Sequence, residues 1–189
     1  YKRQISVGAF TIAILNKGNY ALARILSFIN PASSENVSYQ SSQALIGLKQ
    51  GGISGMGIGE SIQKYSYLPE THTDFIFAII GEEMGFITGI ILMIAYYIIF
   101  YRSIQISKKS NDTFGILLSI GFGLSISIYA LINIGVVIGI VPVTGVPLPF
   151  ISYGGSSLIT NLMMIAILLN ISKAQRKINV RKWRLRVDA

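Results

Sequence analysis

The chain has 189 residues, of which 51% are hydrophobic and only 13% charged; a soluble domain carries about 25% charged residues, so the composition points to the bilayer. The formal charge of +8 is not a nucleic-acid signature, because seven of the sixteen basic residues fall between Lys173 and Arg186, behind the last apolar segment, and no aromatic or motif framework accompanies them. The absence of cysteine excludes disulfides, thiolate metal sites and a cysteine nucleophile, and a single histidine, His72, excludes a multi-histidine metal site.

The chain opens on Tyr1 rather than Met, as expected of a C-terminal part of a longer protein. Residues 5–15 are apolar but shorter than the ~20 residues that a spanning helix needs, and they read as the end of a transmembrane helix. Residues 16–73 form a long polar loop, a length that is usually functional or structured. Within it, Tyr20–Ile29 is expected to be helical up to Asn30-Pro31. A second helix is expected over Tyr39–Lys49, with Ser38 as its candidate N-cap and Gly51-Gly52 as its stop. The glycine run Gly51–Gly59 does not match a phosphate-binding P-loop and reads as a structural turn.

Three apolar runs follow, over residues 74–101, 114–141 and 155–171, each expected to be a transmembrane helix, and a basic tail covers 172–189. The basic connection at 102–112 and the basic tail share a side if both intervening runs span. The positive-inside rule makes that side the cytoplasm, with Trp183 at the interface against anionic membrane lipids. Residues 16–73 and 142–156 then face outward. The expected fold class is an all-α polytopic membrane protein.

The junction Gln63–Gly85 concentrates costly groups: Lys64, Glu70, His72 and Asp74, and then Glu82 and Glu83 inside the apolar run. An ionisable residue in such a run is a functional-site candidate. On a helix continuing through Asp74, Glu82 lies roughly 80° from it and Glu83 almost opposite, at ~100° per residue. Glu82 is therefore the cavity candidate, and Glu83 is assigned a pairing role in the bundle. Gly81, Gly85 and Gly89 make a small-residue stripe that admits another membrane helix. On the residue alone, Asp74 reads as an acid at a helix N-terminus or an N-cap ahead of a functional group, His72 as an interfacial hydrogen-bonding residue, and Lys64 as a solvated charge or a cation for an anionic headgroup. In the second outward loop, Pro142, Pro147, Pro149, Gly145, Gly154 and Gly155 exclude an ordinary helix and suggest a rigid re-entrant or capping loop. Ser152, Tyr153, Ser156 and Ser157 supply hydroxyls without an activating base. Asn133 and Asn161 are read as interhelical hydrogen-bond partners.

Taken in order, YALARILSFINP (20–31), YQSSQAL (39–45), GGISGMGIGESIQKYSYLPETHTDFIFAIIGEEMG (51–85) and NIGVVIGIVPVTGVPLPFISYGGSS (133–157) resemble the SEDS family (FtsW, RodA and SpoVE). The wording around HTDF is nearer the FtsW and SpoVE side. The resemblance implies the last four of about ten transmembrane helices, a chain inactive on its own, and an inverting peptidoglycan glycosyltransferase that polymerises lipid II at the outer face of the bacterial cytoplasmic membrane. It implies Asp74 as the catalytic carboxylate, with Lys64, Glu70, His72, Thr73, Glu82, Ser152, Tyr153 and Ser156 lining the substrate site. Gly81, Gly85, Gly89, Glu83, Pro149, Gly154 and Gly155 are the expected structural residues. No protein-held metal is assigned, and a divalent cation (Mg or Mn) is a candidate cofactor for the pyrophosphate. The implied partners are lipid II and a class B penicillin-binding protein. A lipid-linked precursor flippase and a membrane scaffold are the alternative functions.

Overall fold

The computed structural model describes residues 35–63, 73–110 and 112–187, with side-chain surroundings for 39–63, 73–110 and 112–174. The expected helix end at 5–15, the helix over Tyr20–Ile29, and Lys64, Glu70, His72 and the Trp183 side chain lie outside the described residues. Every regular element among the described residues is helical: α1 (Glu35–Gly51), α2 (Ile76–Lys109), α3 (Thr113–Val137) and α4 (Gly155–Val187). Among the described residues, three stretches are long and apolar enough to cross a membrane, Ile76–Lys109, Thr113–Val137 and Gly155–Ala174. The fold is that of an all-helical polytopic membrane protein.

α1 starts at Glu35, so Ser38 lies inside the helix rather than capping it, and the helix stops at the glycine pair as its loss of side chains dictates. α2 is not one straight rod. Gly85 has φ 78° and ψ 178°, a conformation that only glycine adopts readily, and it divides the helix into Ile76–Met84 and Phe86–Lys109. The second limb has 24 residues and rises about 36 Å at 1.5 Å per residue, so it can cross ~30 Å of hydrocarbon alone. Phe77 and Gly89 would lie about 18 Å apart along a straight helix. Here a Cβ on Gly89 would sit 3.3 Å from the tip of the Phe77 ring, so the first limb folds back against the second.

The break in α2 is filled by the glycine run. In an unbroken helix the Glu82 and Glu83 carbonyls would receive the amides of Phe86 and Ile87. Instead they receive the amides of Met56 and Gly57, at 2.9 and 3.0 Å. Phe86 N–H turns to the Gly52 carbonyl at 3.0 Å and Ile87 N–H to the Ile53 carbonyl at 3.5 Å. Four backbone groups that a membrane helix must satisfy are thereby satisfied by a loop. This approach leaves no room for side chains: a Cβ on Gly51 would lie 2.7 Å from the Glu82 Cα, and one on Gly85 would meet the backbone of Ile53, Ser54 and Gly55. The stripe expected to receive another membrane helix is therefore occupied from within. Gly81 lies under Leu48 of α1, Gly85 under the glycine loop and Gly89 under Phe77.

α2 packs most extensively on α3. Ser103 lies so near Gly123 that a Cβ there would collide with its side chain, which brings the two backbones close. The buried core joins Phe75, Phe77, Ala78 and Tyr96 to Ile126, Ala130, Ile134 and Val137 of α3, with Met164 of α4 and Leu148 of the 138–154 loop. Asp112 caps the start of α3 by accepting from Gly115 N–H at 3.3 Å. Its other end closes on Gly139 (φ 75°), with the Ile140 and Val141 amides donating to the Gly135 carbonyl. α2 remains helical through Arg102, Lys108 and Lys109, and α4 continues through the basic tail to Val187.

Candidate functional site

Thr73, Asp74 and Phe75 precede the first limb of α2, which folds back against the second, so they lie back from the Gly85 break at the level of Asn133, about one turn before the end of α3. Asp74 is thus not on a helix continuing from it, and the helical-wheel angles drawn from it do not apply; α2 begins at Ile76 and breaks at Gly85. Phe75 is 1% exposed and anchors the segment in the core, while Thr73 and Asp74 are half-buried.

The backbone of this segment is held from two other elements. Asn133, near the end of α3, donates its side-chain N–H groups to the Asp74 carbonyl and to the Val146 carbonyl, each at 2.8 Å. Ser152 donates its hydroxyl to the Thr73 carbonyl at 2.5 Å and accepts from Leu148 N–H at 2.7 Å. The loop carrying Ser152 is itself fixed, because Tyr96 of α2 donates its phenol to the Pro149 carbonyl at 2.6 Å. Phe150 next to it takes a left-handed φ of 66°, a strained choice for a non-glycine residue and one that persists only where the surroundings impose it.

Of the residues singled out from sequence, the structure brings Thr73, Asp74 and Ser152 together. Tyr153 follows directly and is 83% exposed, and Ser156 is exposed in the first turn of α4, after Gly154 and Gly155. Glu82 goes elsewhere. It is 0% exposed and turned toward the end of the glycine loop, where its carboxylate accepts from Ser61 Oγ at 2.5 Å and from Ile62 N–H at 3.0 Å. Glu83 keeps a buried Oε1 with no hydrogen-bond partner among the described residues. Asn133 ties loops rather than helices, which its position in an apolar run could not reveal. Asn161 is buried in α4.

Chemically, the described part offers a half-buried carboxylate on a backbone held at two consecutive carbonyls. Such a group can act as a general base toward a hydroxyl brought within hydrogen-bond reach. The described residues do not gather three His, Cys, Asp or Glu side chains able to hold a metal ion. They therefore do not by themselves form a cradle for Mg or Mn.

Residues 4–177 match the sequence model of the family FTSW_RODA_SPOVE, described as cell cycle protein. The chain is 43% identical to stage V sporulation protein E of Bacillus subtilis over 166 residues, covering 87% of this chain and 45% of that protein. It is 42% identical to the probable peptidoglycan glycosyltransferase FtsW of Trichlorobacter lovleyi over 164 residues, covering 86% and 43%. The chain thus spans less than half the length of these relatives. A solved structure described as "Structural coordination of polymerization and crosslinking by a peptidoglycan synthase complex" superposes with a TM-score of 0.63 at 27% identity, over 92% of this chain and 49% of that one. Motif order, helical architecture and these likenesses agree: the chain belongs to the FtsW/RodA/SpoVE family.

Proposed function

We propose that this chain forms the Asp74-bearing part of a peptidoglycan glycosyltransferase that polymerises lipid II into glycan strands during division or sporulation. The observation that carries the reading is a half-buried Asp74 on a backbone held by Asn133, near the end of α3, and by Ser152; the names of the relatives support it.

In this reading the Asp74 carboxylate takes the proton from the 4-hydroxyl of the acceptor sugar. The freed oxygen forms a bond to the anomeric carbon of the donor. The bond from that carbon to undecaprenyl pyrophosphate breaks, and its electron pair leaves with the pyrophosphate. Attack opposite the departing group turns an α-linked donor into a β-1,4 linkage. The charge that develops on the leaving group calls for a cation, for which Lys64, a divalent cation or basic residues outside this chain are the candidates; Glu70 and His72 are further candidates for the substrate site. Tyr153 and Ser156 offer hydroxyls to the sugars.

The charge pattern supports an extracytoplasmic active face in the bacterial cytoplasmic membrane. Arg102, Lys108 and Lys109 lie at the end of α2 remote from Asp74, and cytoplasmic flanks carry the excess of Lys and Arg. The assignment of 16–73 as an extracytoplasmic loop and of 172–189 as a cytoplasmic tail follows from the same rule. A class B penicillin-binding protein is the proposed protein partner, supported by the synthase complex whose chain this one resembles. The test restores the full length of the relatives and assays lipid II polymerisation by the Asp74→Asn and Asp74→Ala variants. Loss of polymer in folded variants supports the assignment, and retained synthesis removes it.

A further inference from the structure

Asn133 presents an unusual cost. It is 1% exposed, and both of its hydrogen bonds are made by its amide nitrogen, to the carbonyls of Asp74 and Val146. Two carbonyl oxygens at 2.8 Å can be met only by the N–H groups, so the side-chain oxygen has to point away from both. That oxygen is buried without a partner among the described residues. An unsatisfied buried acceptor destabilises a fold and calls for an explanation. The explanation offered by geometry is that the amide serves the two loops it bridges rather than its own helix.

Ser152 does the same from the other side. Its hydroxyl is 2.5 Å from the Thr73 carbonyl and 2.7 Å from Leu148 N–H, which engages it as donor and acceptor at once, and the residue is 6% exposed. A serine so engaged and so buried is poorly placed to touch a sugar. Its sequence-derived role as a substrate contact is better replaced by one acting through Thr73. Two consecutive carbonyls, 73 and 74, are thus gripped from two elements distant in sequence, while Phe75 is sealed into the core beyond them. The backbone from which the Asp74 side chain extends is thereby fixed.

We propose that Asn133 and Ser152 are positioning residues, which set the place of the Asp74 carboxylate by holding the carbonyls of Asp74 and Thr73. The proposal rests on the reading of Asp74 as the base. Proton abstraction from a hydroxyl needs heavy atoms within hydrogen-bond reach, and a displacement of about 1 Å can cost about 100-fold in rate. Neither residue contacts substrate in this account, so substrate affinity is left largely intact when either bond is removed.

The test uses the full-length protein, purified to a single folded species, with lipid II as substrate. Asn133→Ala and Ser152→Ala are each expected to lower kcat about 10- to 100-fold while KM stays within about twofold, since uniform binding is untouched. The acidic limb of the kcat–pH profile is expected to move, because a displaced carboxylate meets different surroundings. A merely structural defect scales that profile down without moving it. Unchanged kcat in both variants, or a profile scaled but not shifted, overturns the proposal. If the alanine variants yield no folded protein, hydrogen exchange of the wild type decides. Slow exchange of the amides over 73–78 supports a fixed segment, and exchange as fast as an open chain overturns it. Asp74→Asn is measured alongside. Wild-type activity there removes the base and this proposal with it, whereas an inactive Asp74→Asn beside unaltered Asn133→Ala and Ser152→Ala removes the positioning role alone.

Discussion

Replacing Glu82 by Ala removes a fully buried carboxylate that receives Ser61 Oγ at 2.5 Å and Ile62 N–H at 3.0 Å. Hydrogen bonds to a charged acceptor contribute about 1.5–3 kcal/mol each, and the donor left behind in Ser61 is itself 0% exposed. Part of that loss is offset, because the carboxylate no longer has to be kept out of water. The net expectation is a local destabilisation of about 2–4 kcal/mol at the end of the glycine loop. At 1.4 kcal/mol per factor of ten, the Ile62 amide then exchanges at least about tenfold faster. The assay is hydrogen exchange read by mass spectrometry on peptides covering residues 58–63, in the purified full-length protein. Glu82→Gln keeps an acceptor oxygen without the charge, and its effect is expected to fall between wild type and Glu82→Ala. Unchanged exchange at Ile62 in Glu82→Ala would refute the reasoning, since it would mean that the carboxylate does not hold the loop.

Three further predictions concern the frame. Gly85→Ala combines a strained φ of 78° with a Cβ driven into the backbone of residues 53–55, and it is expected to destabilise the protein by more than about 3 kcal/mol in equilibrium unfolding from mixed micelles; Gly121→Ala, on a helical residue where a Cβ meets nothing within 4 Å, is expected to be neutral or to stabilise by up to about 1 kcal/mol. Tyr96→Phe removes the phenol bonded to the Pro149 carbonyl and is expected to cost about 1–2 kcal/mol in the same experiment.

The helical class, the membrane-length runs and the polar junction could be read from composition and from charge placement, because the bilayer imposes length and polarity limits that act residue by residue. The break at Gly85 could not. A glycine every four residues has the same signature whether a second helix packs on it or a loop enters the helix, and only the pairing of Gly52, Ile53, Met56 and Gly57 with residues 82–87 distinguishes them. The helical wheel relating Glu82 to Asp74 does not apply for a separate reason: the helix begins at Ile76, after Asp74. Asp74 drew notice as an acid where the loop meets the membrane. The residues that hold this segment are far off in sequence: Asn133 is 59 residues from Asp74, and Ser152 is 79 residues from Thr73. Asn133 was visible as a polar residue in an apolar run, which signals a buried hydrogen bond but not its recipient. Ser152 looked like one hydroxyl among four, and nothing local marked it as the one turned inward.

Lipid II polymerisation by the full-length protein carrying Asp74→Asn tests the central claim most directly, because the substitution keeps the side-chain shape and removes only the base. The account predicts that glycan strand synthesis is lost while the protein remains monodisperse and its melting temperature is unchanged. Strand synthesis at the wild-type rate by that variant would contradict it.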